Sequence, residues 1–117
     1  MRRSFGIITK KTEFISDTIA SGTDSGVIDL KGGTLLGIIT PAGISSITYT
    51  MQASDVVDGT YLTVKNPDTG VAYSGTVAAS GWYPINAAVT VGLPFVKFIF
   101  NASETAKTFK YSYRSFE

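Results

Sequence analysis

The chain has 117 residues and contains neither cysteine nor histidine. Without cysteine it cannot form the disulfides on which many small secreted domains depend. Zinc sites lose their two most common ligands, and catalysis loses its usual general base and its strongest side-chain nucleophile. We therefore expect that the protein is not an enzyme and that it needs no cofactor.

Charge and long apolar runs are also scarce. Charged residues make up 16% of the chain and the formal net charge is +1, so the broad basic field of a nucleic-acid-binding protein is absent. No apolar run approaches the roughly 20 residues that span a bilayer. The apolar piece Phe5–Ile8 is shorter than the core of a signal peptide, which has about 7–15 residues. We expect no nucleic-acid partner, no membrane partner and no export.

What the chain does contain is an alternation of apolar and polar residues with a period of two. The segment Ile47–Ser54 alternates cleanly, and Phe95–Asn101 and Phe109–Tyr113 repeat the pattern, the last as an edge-like strand. Turns rich in glycine, asparagine and aspartate separate these segments. A hydrophobic fraction of 44% is sufficient for one core. The pattern predicts an all-β sandwich of about eight antiparallel strands.

Three segments give more specific predictions. Leu35–Thr40 is almost entirely apolar, which is typical of a strand that is buried on both faces or that crosses the centre of a sandwich. On a strand over residues 61–65, Leu62 and Val64 should point in the same direction because they are two residues apart. The small, mostly apolar stretch Asn86–Pro94 predicts a loop or a single helical turn.

The first 16 residues differ from the remainder of the chain, because they are basic and their apolar pattern is irregular. We predict an extended N-terminal arm over residues 1–16, with a first strand beginning near Phe14, and a sandwich domain over residues 17–117. Such an arm is either a frayed terminus, as is common, or a segment that docks on a neighbouring subunit. The apolar residues in it favour docking.

The stretch Gly26–Gly70 carries a resemblance to a known family. It contains I-D-L-K-G-G, then L-L-G-I-I-T-P, then I-T-Y-T-M-Q-A-S-D-V-V-D-G-T-Y. This order of strands and turns resembles that of small tailed-bacteriophage virion proteins and of galactose-binding-type jelly rolls, in which Pro94–Phe98 would be a later strand. The similarity extends to about Arg114 and omits the arm. The inserted pair Val56-Val57, and Lys31 in place of a glycine, depart from the family pattern.

The resemblance implies a jelly-roll β-sandwich with a structural role. In that role the chain would be a head decoration or cement protein, made in the host cytoplasm and bound to the major capsid protein on the outer surface of the phage head. Self-association as a dimer or trimer would be expected. The arm would supply the capsid interface. Its residues are Arg2, Arg3, Phe5, Ile7, Ile8, Lys10, Lys11 and Phe14.

Two other virion roles remain open from the sequence. One is a carbohydrate-binding module of a tail or fibre, and the other is a head–tail connector or tail accessory protein. Trp82 and Tyr83 lie next to Gly81 and Pro84, so they are expected near a loop, where they could contact a sugar or a partner, with Tyr73 and Tyr61 close by. The alternative is that Trp82 fills the core or an interface, as large aromatic residues commonly do.

Acidic and basic residues give weaker alternatives. Calcium could bind loop carboxylates, and a pair such as Asp55 and Asp58 could in principle act in a glycosidase. Aspartate is, however, a common turn residue for local hydrogen-bonding reasons. Near residue 110, lysine and arginine alternate with tyrosine, which predicts buried tyrosines with solvated cations on the opposite face of the strand.

Overall fold

A computed structural model of the chain describes residues 11–20 and 22–115. These residues form nine strands and one short helix. The strands are β1 (Lys11–Thr18), β2 (Ile28–Asp29), β3 (Thr34–Ile39), β4 (Ile47–Ser54), β5 (Leu62–Thr63), β6 (Ser74–Val77), β7 (Trp82–Pro84), β8 (Phe95–Phe100) and β9 (Thr108–Ser115). The helix α1 (Ala87–Thr90) is a single turn and confirms the prediction for that segment.

The strands form two antiparallel sheets that enclose one core. One sheet has the order β1-β9-β3-β7, and the other has the order β2-β8-β4, with both β5 and β6 paired to β4. The pairs are therefore nested, the first strand with the last, the second with the eighth, the third with the seventh, and the fourth with the fifth and sixth. A long hairpin rolled into two sheets has this arrangement, which is the jelly roll. The predicted all-β, jelly-roll-like sandwich is confirmed.

Aromatic rings from both sheets meet at the centre of the core. Phe98 of β8 stacks on Tyr111 of β9 with ring centroids 4.7 Å apart, and Phe100 stacks on Phe109 at 4.8 Å. Tyr49 of β4 packs against Phe98 at 5.3 Å. Because β8 and β9 belong to different sheets, these stacked pairs join the two layers of the sandwich.

Strand β9 lies in the interior of its sheet, so the prediction of an edge-like strand was wrong. It pairs with β1 on one side and with β3 on the other. Its alternation of buried tyrosines with exposed Lys110 and Arg114 was predicted and is confirmed. That alternation reports one buried face, which interior and edge strands of a sandwich share. The edge strands of this sheet are β1 and β7.

The apolar run of strand β3 predicted either burial on both faces or a position across the centre of a sandwich. The second holds, because β3 lies between β9 and β7 and is not fully buried on both faces. Leu35 and Ile38 are fully buried, whereas Leu36 and Ile39 are half-buried. The pairing register with β9 shifts between Leu35 and Gly37, and such a bulge allows residues three apart to face the same core. The hydroxyl of Thr90 donates a 2.7 Å hydrogen bond to the Leu35 carbonyl beside this bulge.

The expected common direction of Leu62 and Val64 was also wrong. Strand β5 has only two residues, and the chain leaves it after Thr63. Leu62 is 68% exposed, whereas Val64 is buried. The Val64 amide donates to the carbonyl of Met51, and the Val64 carbonyl accepts from the amide of Tyr73. These bonds draw Val64 into the core.

The first described residues are already part of a sheet. Strand β1 pairs with β9 along its whole length, from Lys11 opposite Ser115 to Thr18 opposite Thr108. The arm predicted over residues 1–16 therefore overlaps the sandwich from residue 11. The predicted interface residues Arg2, Arg3, Phe5, Ile7, Ile8 and Lys10 lie outside the described residues.

The Tyr111 hydroxyl leads to a prediction about stability. The side chain is fully buried. The Ser25 hydroxyl is close to it but donates to the Gly26 carbonyl, and no atom of the described chain meets the geometry of a hydrogen bond with the Tyr111 hydroxyl. Burial, together with the negative charge of Asp17, raises the pKa of Tyr111 above its usual range, so the hydroxyl stays protonated. Because an unsatisfied buried hydroxyl is unfavourable, Tyr111→Phe should raise the free energy of unfolding in urea by about 1 kcal/mol.

Tyr83→Phe is the matched control for this substitution. The Tyr83 hydroxyl accepts a 2.9 Å hydrogen bond from the Ala78 amide, so its removal should lower the free energy of unfolding by about 1 kcal/mol. If Tyr111→Phe destabilises the protein as much as Tyr83→Phe does, the Tyr111 hydroxyl has a partner and the interpretation is wrong.

Candidate interaction surface

Two large aromatic side chains meet on the solvent-facing side of the β1-β9-β3-β7 sheet. Phe14 of β1 is 50% exposed and Trp82 of β7 is 59% exposed. Their ring centroids are 5.8 Å apart, with an angle of 75° between the ring planes. The sequence had predicted both as interface residues, but for different surfaces. The structure brings them together from the two edge strands of one sheet.

The rings meet because the two inner strands carry small residues between them. Phe14 pairs with Ser112, Ser112 with Gly37, and Gly37 with Pro84. A Cβ atom at Gly37 would lie 3.1 Å from the Ser112 Oγ and 3.2 Å from the Trp82 Nε1. The indole thus rests directly on the Gly37 backbone. A larger residue at either inner position would separate the two rings.

A hydrogen-bonded loop fixes the direction of Trp82. The Thr40 amide donates to the Gly81 carbonyl at 2.8 Å, and the Gly81 amide donates to the Thr40 hydroxyl at 2.8 Å. That hydroxyl in turn donates to the Ala78 carbonyl at 2.6 Å. Because successive strand residues point to opposite faces, Tyr83 packs against the core while Trp82 points outward. The interpretation of Trp82 as a core residue was therefore wrong.

We call the solvent-facing side of this sheet the outer face. Its residues on the four strands are Thr12, Phe14, Ser16, Thr18, Thr34, Gly37, Ile39, Trp82, Pro84, Thr108, Lys110, Ser112 and Arg114. Next to the aromatic pair, Ile39 pairs with Trp82 on one side and with Lys110 on the other. Beside them is a shallow groove of about 320 Å³, lined by Ile39, Thr40, Pro41, Thr108 and Lys110.

The charge of the outer face has one sign. Lys110 and Arg114 are exposed on it, and these described strand positions include no aspartate or glutamate. The acidic residues of β1 lie on the opposite side. The Glu13 carboxylate accepts a 3.2 Å hydrogen bond from the Tyr113 hydroxyl, and the Asp17 carboxylate accepts one from the Gly26 amide at 3.1 Å. The outer face therefore combines an apolar centre with a cationic rim.

A second depression, of about 360 Å³, lies at one end of the other sheet. It is lined by Ala53, Ser54, Asp55, Thr60, Leu62, Leu93 and Pro94. Nearby, the ammonium group of Lys97 lies 4.5 Å from the ring centroid of Tyr61, and partial burial and Asp58 raise the pKa of the Tyr61 hydroxyl. Because Tyr61 belongs to this side of the sandwich, it does not extend the aromatic surface around Trp82, contrary to expectation.

In the part of the chain that the structure describes, the acidic turns do not form a metal-binding site. Asp55 and Asp58 are exposed on a turn that Ser54 closes, since its hydroxyl accepts from the Val56 amide and donates to the Val56 carbonyl. No three aspartate or glutamate side chains of the described chain lie close enough together to hold a metal ion. Over the same residues, the helical part of the fold offers no segment long and apolar enough to cross a membrane.

Comparison with known proteins gives a likeness in fold. No protein-family model matches the chain and no curated protein matches it. The crystal structure of the SPBc2 prophage-derived protein YomS superimposes with a TM-score of 0.58 and 14% sequence identity. The match covers 97% of this chain and 100% of the other. At this identity the likeness shows a shared fold, and it includes almost the entire sandwich.

The sequence located only part of the outer face. Ile39, Lys110 and Arg114 were not predicted to join Phe14 and Trp82. Alternation with buried tyrosines already placed Lys110 and Arg114 on the solvent side of β9, whereas the apolar run that contains Ile39 gave no such signal. What the alternation could not reveal is the order of the strands in the sheet, which alone brings these residues together.

Proposed function

We propose that this chain is a bacteriophage virion structural protein without enzymatic activity, and specifically a decoration or cement protein that binds the major capsid protein on the outer surface of the head. One observation carries the proposal, namely that a prophage-derived protein has the same fold over almost the whole of both chains. The order of strands and turns in Gly26–Gly70 supports it independently. A cement protein works by burying surface across capsid junctions, for which a rigid sandwich with an adhesive segment is suited.

In this proposal the basic arm is one of the adhesive elements. Phe5, Ile7 and Ile8 would pack on the capsid protein, and the arm's lysines and arginines would meet acidic capsid groups. Strand β1 begins at Lys11 on the sheet edge, so the arm would be anchored directly to the sandwich. Copies of the chain would associate as dimers or trimers about a local symmetry axis of the shell.

Deletion of residues 2–10 tests the role of the arm. We expect the copies bound per particle to fall by about tenfold or more, because apolar anchors and charge pairs are lost together. The melting temperature should be unchanged, since the deletion leaves every described residue of β1 in place. A longer deletion to residue 13 would remove the first three residues of β1 and confound binding with folding. Quantitative mass spectrometry of purified particles measures occupancy.

A variant with residues 2–10 replaced by glycine and serine is the control for chain length. It should behave like the deletion if the side chains of the arm carry the binding. Wild-type occupancy in both variants would contradict the proposed role of the arm.

A carbohydrate-binding module of a tail or fibre is the second candidate, and the exposed indole of Trp82 is the observation that favours it. Binding of a defined sugar on a glycan array, lost in Trp82→Ala, would support this candidate over the first.

The number of copies per virion distinguishes a decoration protein from a connector or tail accessory protein. A connector or tail accessory protein is present in few copies, whereas a decoration protein covers the shell.

A further inference from the structure

We propose that the outer face is a docking surface for an acidic, partly apolar protein surface of the virion. In this arrangement Phe14 and Trp82 form the centre of the contact, and Lys110 and Arg114 form its rim. The inference rests on the proposed function, because it specifies which surface of the sandwich the virion partner covers and what chemistry that partner presents.

The centre of the outer face has the properties of an interface anchor. Tryptophan is enriched among the residues that dominate binding energy, and such residues lie near the middle of the contact. The loop before Trp82 is held by the hydrogen bonds between Gly81 and Thr40, and the indole rests on Gly37. The position of Trp82 is therefore fixed before binding. A preorganised side chain loses little conformational freedom on association. The groove next to Ile39 and Lys110 would accept an apolar side chain of the partner.

The rim identifies the charge of that partner. Lys110 and Arg114 have no acidic neighbour among the described strand residues of the outer face, so an approaching surface is favoured if it carries carboxylates. A second copy of this chain is a poor match. Two outer faces in a symmetric contact would bring the same four cations together without a compensating acid.

The geometry of the rings argues for a protein surface over a sugar. A sugar ring stacks best on a flat aromatic platform, and Phe14 and Trp82 are inclined at 75° to each other. They therefore cannot both lie parallel to one sugar face. An edge-to-face pair offers instead a ridged apolar surface into which aliphatic and aromatic side chains can pack.

The test uses full-length protein added to purified particles that lack it. Trp82→Ser and Phe14→Ser should each weaken binding by about tenfold or more, and Lys110→Glu should weaken it by about fivefold and reduce its dependence on salt. Leu62→Ser and Lys65→Glu are the matched controls, because both positions are exposed and lie outside the outer face. Both controls should bind like wild type, and a melting curve of each variant checks that it is folded.

The binding results distinguish the proposal for the outer face from the proposed virion role. Wild-type binding by Trp82→Ser and Lys110→Glu, or equal losses in the controls, overturns the proposal for the outer face while leaving the virion role intact. Absence of wild-type binding to the particles overturns both. A Trp82-dependent glycan signal, or Trp82-dependent self-association in analytical ultracentrifugation without particle binding, would assign the outer face to a sugar or to a second copy.

Discussion

Replacing Phe98 with alanine should lower the free energy of unfolding by about 3–5 kcal/mol, which is the usual range for a buried phenylalanine. Phe98 is fully buried, and its ring stacks on Tyr111 of the opposite sheet and packs against Tyr49 and Phe100 of its own sheet. Truncation would leave a cavity where the two layers meet. Since domains of this size have about 5–15 kcal/mol of stability, a large part of the total would be lost.

Guanidinium unfolding followed by tryptophan fluorescence measures this change, with Phe14→Ala as the control. Phe14 is half exposed on the outer face, so its truncation removes much less buried area and should lower stability by about 1 kcal/mol or less. A loss below about 1 kcal/mol in Phe98→Ala would mean that the core can close around the missing ring, contrary to the role assigned to the aromatic stack.

Gly33→Ala should destabilise the protein by about 3 kcal/mol through overpacking. A Cβ atom at Gly33 would overlap the backbone carbonyl oxygen of Arg114 and lie 3.0 Å from the Leu30 carbonyl oxygen. Both atoms belong to the backbone and cannot rotate away as a side chain could. The start of β3 would have to separate from β9, where Thr34 pairs with Arg114.

The neighbouring glycine provides the control for this prediction. Gly32 has a φ of +79°, and a Cβ atom added there would have no other atom within 4 Å. Gly32→Ala should therefore cost only the left-handed backbone penalty of about 1–2 kcal/mol. Urea unfolding of the two variants compares them directly. A loss in Gly33→Ala no larger than that in Gly32→Ala would mean that β3 and β9 accommodate the added methyl group without separating, contrary to the prediction.

The sequence predicts the strands of this protein better than their arrangement. Alternation identified β4 and β8 because one side of each strand faces the core and the other does not. The same signal could not place β9 in the interior of its sheet, since the pairing of a strand depends on partners far away in the chain. The bulge between Leu35 and Gly37 could not be predicted either, because the residues on both sides of it are apolar.

The candidate site shows the same limit. Phe14 and Trp82 were each recognisable as large apolar residues in exposed surroundings. Their contact depends on the order β1-β9-β3-β7 and on the small residues Gly37 and Ser112 beneath them. Small residues on the solvent-facing side of a strand are common in any sequence. They indicate a contact between larger side chains only when the strands on both sides are known.

The pairing of β1 with β9 determines when the protein can fold during its synthesis. Lys11 lies opposite Ser115, so this ladder closes a loop that includes nearly the whole chain. Folds dominated by such distant pairings form slowly, on the millisecond-to-second scale. On the ribosome, the sheet that carries the outer face cannot assemble until β9 has emerged. A peptide fused before β1 or after β9 would leave the sandwich from the same corner.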